Sequence, residues 1–137
     1  MKTVTKITLS LTVGASILLA ATPAMAEGSW SSYLSSVGVG FSSRTWYDGA
    51  LDQVATTVKL SGCSMTSGGT FASATLNLYR EYGVFPDISM GSINNTCNTS
   101  NWGQALGGDY YHFTIEKING STGPTPHFSA TSVVTNY

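Results

Sequence analysis

The sequence has few charged residues and few cysteines, and no part of it has the periodicity of an amphipathic helix. Of its 137 residues, 9% are charged and two are cysteines. No window places apolar residues at i, i+3, i+4 and i+7 together with helix caps. After a leading apolar run, no stretch approaches the roughly 20 residues that a membrane helix needs. These absences argue against a helical domain and against a membrane span after that run.

Basic residues are scarce after the first 26 residues. Only Arg44, Lys59, Arg80 and Lys117 remain, against seven acidic residues. Binding to nucleic acid depends on clustered Lys and Arg side chains that neutralise phosphates. An anionic membrane surface attracts the same kind of cluster. We therefore expect neither nucleic acid nor a membrane as a partner.

Recognisable catalytic and metal-binding motifs are absent from the sequence. It has no H-E-x-x-H, G-x-S-x-G, P-loop, EF-hand or C-x-x-C pattern. Its two histidines, His112 and His127, cannot form a three-histidine zinc site. His112 and Glu116 on one strand face could serve acid–base chemistry, but an exposed strand histidine is the commoner interpretation. We predict a protein that is not an enzyme and has no cofactor and no metal.

The first 26 residues have the three parts of a secretory signal peptide. Lys2 and Lys6 give a basic start, residues 7–21 form an apolar run, and Ala24-Met25-Ala26 is a small-residue cleavage signal. We therefore predict that residues 1–26 are a signal peptide and that the protein is secreted to the extracellular space.

The run Val54–Cys63 is the clearest strand in the sequence, and it ends at one of the two cysteines. Its side chains alternate at period two, and it is rich in β-branched residues. In an exported chain two cysteines indicate one disulfide, so we expect Cys63 to bond to Cys97. Closing a loop of this length stabilises a domain by roughly 3–4 kcal/mol in the chain-entropy model. We predict that this strand and its disulfide form the centre of the fold.

Other alternating segments predict an all-β domain. Six or seven short strands between Gly-, Asn- and Pro-rich turns favour a single small antiparallel β-sandwich, Ig-like or similar. We assign residues 44–137 to this domain, with loops over 94–108. Residues 27–43 are rich in Ser and Gly and have no sustained period, so we assign them to an extended N-terminal arm. The arm could be a disordered terminus or a segment that docks on a partner.

Aromatic residues in and beside the arm are the candidate contacts with a partner. Flat rings form hot spots of protein interfaces and also stack on sugars. Trp46 could instead fill one end of the core, with Arg44 stacked on it and Asp48 alongside as a structural clamp. The candidate partner-binding residues are Trp30, Tyr33, Phe41, Arg44 and Trp46.

Several short motifs resemble those of small exported bacterial proteins. The first half contains Ser43-Arg44-x-Trp46-x-Asp48, Asp52 and Thr56-Thr57-Val58-x-Leu60-x-Gly62-Cys63. The second half contains Cys97, Trp102-Gly103 and Gly108-Asp109-Tyr110-Tyr111-x-Phe113. Over roughly Phe41 to Ile118, this set is similar to the adaptor subunits of secreted bacterial umbrella toxin complexes.

The resemblance implies a non-enzymatic scaffold whose N-terminal arm inserts into a partner. In such complexes a small β domain links a lectin-like subunit to a long repeat-bearing toxin subunit. We therefore predict a secreted protein-binding module that acts as an adaptor in an extracellular, antibacterial toxin complex. Two alternatives stay open. One is a carbohydrate-binding module that uses exposed Trp30, Trp46 and Trp102, and the other is a small protease inhibitor that presents a loop such as 64–70.

Overall fold

Eight β-strands and no helix make up the part of the chain that the computed structural model describes, residues 27–105 and 107–137. The predicted signal peptide lies outside these residues. The strands are β1 (Ser29–Gly38), β2 (Trp46–Asp48), β3 (Ala55–Met65), β4 (Ala74–Tyr82), β5 (Phe85–Asn95), β6 (Thr99–Gln104), β7 (Asp109–Ile118) and β8 (His127–Asn136).

The strands form two antiparallel sheets of four strands each. Sheet A has the order β1-β8-β3-β6, and sheet B has the order β2-β7-β4-β5. Buried side chains from both sheets belong to one hydrophobic core, as in a sandwich. The all-β class and the sandwich-like arrangement predicted from the sequence are therefore confirmed.

The core follows the predicted alternation where the strands are regular. Thr56, Val58 and Leu60 of β3 are buried, and β3 is flanked by β8 and β6. In β7, Tyr111 and Phe113 are likewise buried at period two. These inward positions confirm the strand predictions for both segments.

The alternation fails where a strand carries one extra residue. On β8 the buried residues are Ala130 and then Val133, three positions apart, so Ala130, Ser132 and Val134 do not share one face as strict alternation predicts. β3 has the matching irregularity at Gly62, where φ is +62° and a Cβ atom would collide with the Thr131 hydroxyl. The inward and outward positions change over at the same point on both strands. The residues paired between β3 and β8 therefore keep the same register before and after it.

Two further expectations about connectivity are wrong. From the sequence, residues 45–47 are expected to be able to form a hairpin with the Val54–Cys63 strand, but β2 pairs with β7 in sheet B and β3 lies in sheet A. Residues 94–108 were predicted as loops, but they contain β6, which pairs with β3. β6 is a short edge strand with the polar sequence T-S-N-W-G-Q, so it lacks the apolar alternation by which strands are recognised.

The segment predicted as an arm is extended, but most of it is the edge strand of sheet A. β1 pairs with β8, and its Leu34 and Val37 are buried in the core. An extra residue near Ser36, whose φ is +49°, brings these two side chains to the same face three positions apart. The segment is therefore part of the sandwich rather than a separate element ahead of it.

The predicted disulfide joins Cys63 on β3 to Cys97 in the β5–β6 turn, with 5.8 Å between the Cα atoms. Buried Asn95 holds the turn in place. Its Oδ1 accepts hydrogen bonds from the backbone N–H groups of Cys97 (2.9 Å) and Asn98 (3.0 Å). Its Nδ2 donates to the Ser100 hydroxyl at 2.9 Å. The disulfide thus ties the centre of sheet A to the connection between the two sheets.

Replacing both cysteines, as C63S/C97S, should lower the free energy of unfolding by about 2–4 kcal/mol. The loop of 34 residues would then keep its full entropy in the unfolded chain. Urea unfolding followed by tryptophan fluorescence measures the change. Adding a thiol reductant to the wild type should reproduce it, and the double variant should not respond to the reductant. Equal midpoints for the wild type and the variant would contradict a stabilising disulfide.

Candidate partner-binding site

A shallow cleft of about 100 Å³ lies along β1, where the edge of sheet A approaches the β1–β2 connection and β7. Trp30 and Tyr33 line it from β1, and Phe41 and Arg44 line it from the connection. Phe113 of β7 contributes the wall on the sheet B side. Four of the five residues predicted to contact a partner are therefore brought together at one site.

The β1–β2 connection is held against β7 by backbone hydrogen bonds. Gly40 N donates to Ile115 O at 2.8 Å, and Ile115 N donates to Phe41 O at 2.9 Å. The Ser43 hydroxyl accepts from Phe113 N at 3.0 Å. These bonds place Phe41 and Arg44 in the wall of the cleft, so the site rests on a sheet rather than on a free loop.

Trp30 lies at the centre of the cleft. Its ring is nearly parallel to that of Phe113, with 6.4 Å between the centroids. Arg44 Cζ lies 5.6 Å from the Trp30 centroid, in cation–π geometry. Stacking of this kind contributes roughly 0.5–1 kcal/mol at an exposed site. Arg44 therefore stacks on Trp30, and the predicted clamp of Arg44 on Trp46 is wrong.

Trp46 is a core residue and is not available for direct contact with a partner. It is 4% exposed, and its ring packs 5.9 Å from Trp30 and 5.8 Å from Tyr137 between ring centroids. Asp48, on the same face of β2, is also buried and accepts a hydrogen bond from the Thr56 hydroxyl at 3.2 Å. Trp46 thus supports the cleft from beneath Trp30.

Tyr33 is the most accessible ring of the cleft, with 69% of its surface exposed. It also borders a second, more open groove over β1, β3 and β8, lined by residues such as Ser64 and Thr131. β1 pairs with β8 on one side only and is a terminal strand of sheet A. The cleft and the groove therefore flank an unpaired strand edge.

The start of β1 is tied to the rest of the chain by contacts that the sequence analysis missed. Gly28 exchanges two backbone hydrogen bonds with Tyr137, at 2.8 and 3.0 Å. The Glu27 carboxylate accepts from the backbone N–H groups of Gly49 and Asp52. Glu27 precedes a Ser-rich segment, and nothing in that sequence indicates that its carboxylate accepts hydrogen bonds from a distant loop.

His112 and Glu116, considered together from the sequence, take part in separate contacts on the outer face of sheet B. His112 Nδ1 lies 3.4 Å from Glu81 Oε1, and its ring stacks on Tyr79 at 5.5 Å between centroids. Glu116 accepts hydrogen bonds from the Ser92 hydroxyl (2.6 Å), Asn77 Nδ2 (2.6 Å) and the Tyr79 hydroxyl (3.2 Å). The pair therefore does not form the acid–base arrangement.

The donors around Glu116 favour its ionised form. Hydrogen bonds from Ser92 and then Asn77 hold the pKa of Glu116 below its ordinary value of 4.5. Burial, with the Glu116 charge beside it, raises the pKa of Tyr79. Within residues 27–105 and 107–137, no three His, Cys, Asp or Glu side chains are grouped to hold a metal ion.

Comparison with known proteins does not assign this chain to a family. No family model matches it, and neither the curated proteins nor the solved structures contain a significant match. In the described ranges, no helix has the length and apolar character needed to cross a membrane. The candidate site is therefore described from the geometry of this chain alone, without a related protein to compare.

The Glu116 contacts predict a pH dependence of stability. Because the folded-state pKa is lowered, the contribution is present above pH 4.5 and is lost as pH falls through the folded pKa. Glu116→Gln should lower stability at neutral pH and reduce the loss on acidification. Urea unfolding at a series of pH values between 7 and 3 measures both effects. Ser92→Ala should act in the same direction but more weakly. Identical pH profiles for the wild type and Glu116→Gln would contradict this account.

Proposed function

We propose that this protein is a secreted, non-catalytic protein-binding module that acts as an adaptor or scaffold subunit of an extracellular complex. The observation that carries the proposal is the cleft along β1. Four residues that were selected from the sequence alone, for their type and position, converge there: Trp30, Tyr33, Phe41 and Arg44. Aromatic and Arg side chains grouped in this way are the usual anchors of protein interfaces.

The backbone of β1 supports strand addition by a partner. An exposed edge strand offers free N–H and C=O groups to an extended segment of another protein. Edge strands that must stay unpaired usually carry Lys, Pro or other charges. β1 has the sequence S-W-S-S-Y-L-S-S-V-G, with no charged residue and no proline. Its composition therefore leaves the edge open to pairing along the regular stretch 29–32, ahead of the register shifts, with the cleft beside it for partner side chains.

The adaptor role and the nature of the partners rest on the resemblance to umbrella toxin adaptor subunits. On that basis the partners are other secreted proteins, a lectin-like subunit and a repeat-bearing toxin subunit. The Cys63–Cys97 disulfide supports an oxidising compartment, as expected for a secreted chain. Within the sandwich class, the Ig-like topology stays a prediction. The structure offers less support for a carbohydrate site built on tryptophan, because Trp46 is buried and Trp102 packs partly against the core.

Point variants on the cleft test this function better than deletion of residues 27–43, which would remove Leu34 and Val37 from the core. Tyr33→Ala and Arg44→Glu should each reduce partner recovery about tenfold or more, since loss of a hot-spot side chain costs about 2 kcal/mol or more and about 1.4 kcal/mol is a factor of ten. Recovery is measured by pull-down of the tagged, secreted protein from its own culture supernatant, with mass spectrometry and size-exclusion chromatography. Val84→Ala is the control, because Val84 is 96% exposed and lies in the β4–β5 turn, away from the cleft.

Two results would count against the proposal. The wild type could elute alone at monomer size, with no partner recovered. Alternatively, both cleft variants could recover the same partners as Val84→Ala while remaining folded, as shown by a cooperative urea transition. Either result would remove the cleft as the binding site.

A further inference from the structure

The outer face of sheet B carries two pairs of rings, one exposed and in edge-to-face contact, the other stacked and half-buried. Tyr47 and Tyr110 are register partners on β2 and β7, 54% and 52% exposed, with their centroids 5.2 Å apart. Tyr79 and His112 are register partners on β4 and β7, with nearly parallel rings. Tyr110 and His112 are two residues apart on β7, so the two ring pairs lie about 7 Å apart along the strand.

Hydrogen-bonding groups continue the same face beyond the rings. The Glu116 carboxylate holds Asn77, Tyr79 and Ser92 in fixed positions. Asn77 Oδ1 also accepts from the Ser89 hydroxyl at 2.8 Å. A carboxylate oxygen and a hydroxyl can each form more than one hydrogen bond. The Ser92 hydroxyl and the Glu116 carboxylate are therefore ordered but can still bond to a ligand, whereas buried Asn77 only supports them.

Two irregularities in the sheet create this arrangement. On β7 an extra residue lies opposite the step from Thr75 to Leu76 on β4, which turns Glu116 toward Asn77. On β5 a register shift near Gly91, whose φ is +109°, lets Ser89 donate to Asn77 Oδ1 while Ser92 donates to Glu116. Such bulges often re-aim side chains at functional sites.

The charges that surround the face are mostly negative. Glu81 and Asp87 lie 3.4 and 3.9 Å from the His112 ring nitrogens, and Glu116 follows along β7. Of the bases on these strands, Arg80 is paired with Asp109 at 2.9 Å. Lys117 adjoins Glu116 at the end of β7 away from Tyr110. An acidic polymer would be repelled by this face, and a neutral one would not.

We propose that this face, defined by Tyr47, Tyr79, Tyr110, His112 and Glu116 and called here the tyrosine face, binds a neutral polysaccharide. A pyranose ring has apolar C–H surfaces and a rim of hydroxyl groups. The exposed rings of Tyr47 and Tyr110 match the first, and the ordered Ser92 hydroxyl and Glu116 carboxylate match the second.

The composition of the tyrosine face favours a saccharide over a protein partner. The register rows of its outward positions pair Tyr47 with Tyr110, Tyr79 with His112 and Ser89, and Asn77 with Thr114 and Ser92. None of these side chains is aliphatic, whereas the centre of a protein interface is more apolar and is depleted in charge. The face is separate from the cleft along β1, so this proposal does not depend on the protein-binding function.

Affinity electrophoresis of the full secreted protein tests the proposal. The gels contain a soluble neutral glucan or polygalacturonate, and pull-down on cellulose and on chitin extends the neutral set. The wild type should be retained by at least one neutral polymer and not by polygalacturonate. Tyr110→Ala and Tyr47→Ala should each weaken retention about five- to tenfold. Tyr110→Phe, which keeps the ring, should retain most of the binding.

Tyr82→Ala is the matched control, because Tyr82 is also half exposed but lies at the end of β4, outside the tyrosine face. It should bind like the wild type, and all variants should keep the wild-type unfolding midpoint. The proposal is overturned if no neutral polymer is retained, if polygalacturonate binds equally well, or if Tyr82→Ala weakens binding as much as Tyr110→Ala. It is also overturned if Tyr110→Ala abolishes capture of a protein partner without any retention on the neutral polymers.

Discussion

The pairing of β8 with β1 on one side and with β3 on the other holds sheet A together, and the cleft depends on it. β8 lies between β1 and the disulfide-bearing strand β3. Its buried Phe128, Ala130 and Val133 contribute to the core that both neighbours cover. β1 has no other strand neighbour in its sheet, so the edge that we propose as a docking site exists only once β8 is in place. The site at the N-terminal end of the domain is thus a property of the complete fold.

The dependence of each strand on its neighbours also explains which parts of the structure the sequence could predict. The first parts of β3 and β7 alternate regularly, so period two reveals their inward residues without knowledge of their neighbours. β1 and β8 each carry an extra residue, which brings Leu34 and Val37, or Ala130 and Val133, to one face at a spacing of three. Such a spacing resembles neither an ideal strand nor a helix. The compensating shift at Gly62 can be recognised only when the cross-strand register is known.

The two surfaces differ in how far the sequence could indicate them. Trp30, Tyr33, Phe41 and Arg44 lie within one short segment, so their concentration is visible in the sequence. They converge because the β1–β2 connection is hydrogen-bonded to β7. No local sequence pattern predicts this pairing. Trp46 belongs to the same stretch, but its inward position on β2 makes it part of the core. The tyrosine face draws on β2, β4 and β7, so only strand order and register bring its residues together.

Both proposed binding surfaces rely on aromatic rings rather than on charge, because the chain has few charged residues. With 9% charged residues, this chain has little capacity for long-range attraction of a partner, so recognition must depend on short-range contacts. Rings supply a large contact area at low conformational cost because each has only two side-chain torsions to fix. In the cleft, Trp30 is fixed by Phe113 and Arg44, and on the tyrosine face Tyr79 is fixed by His112 and Glu116. Ordering these rings before a ligand arrives reduces the entropy lost on binding, which is how a weakly charged surface can still bind selectively.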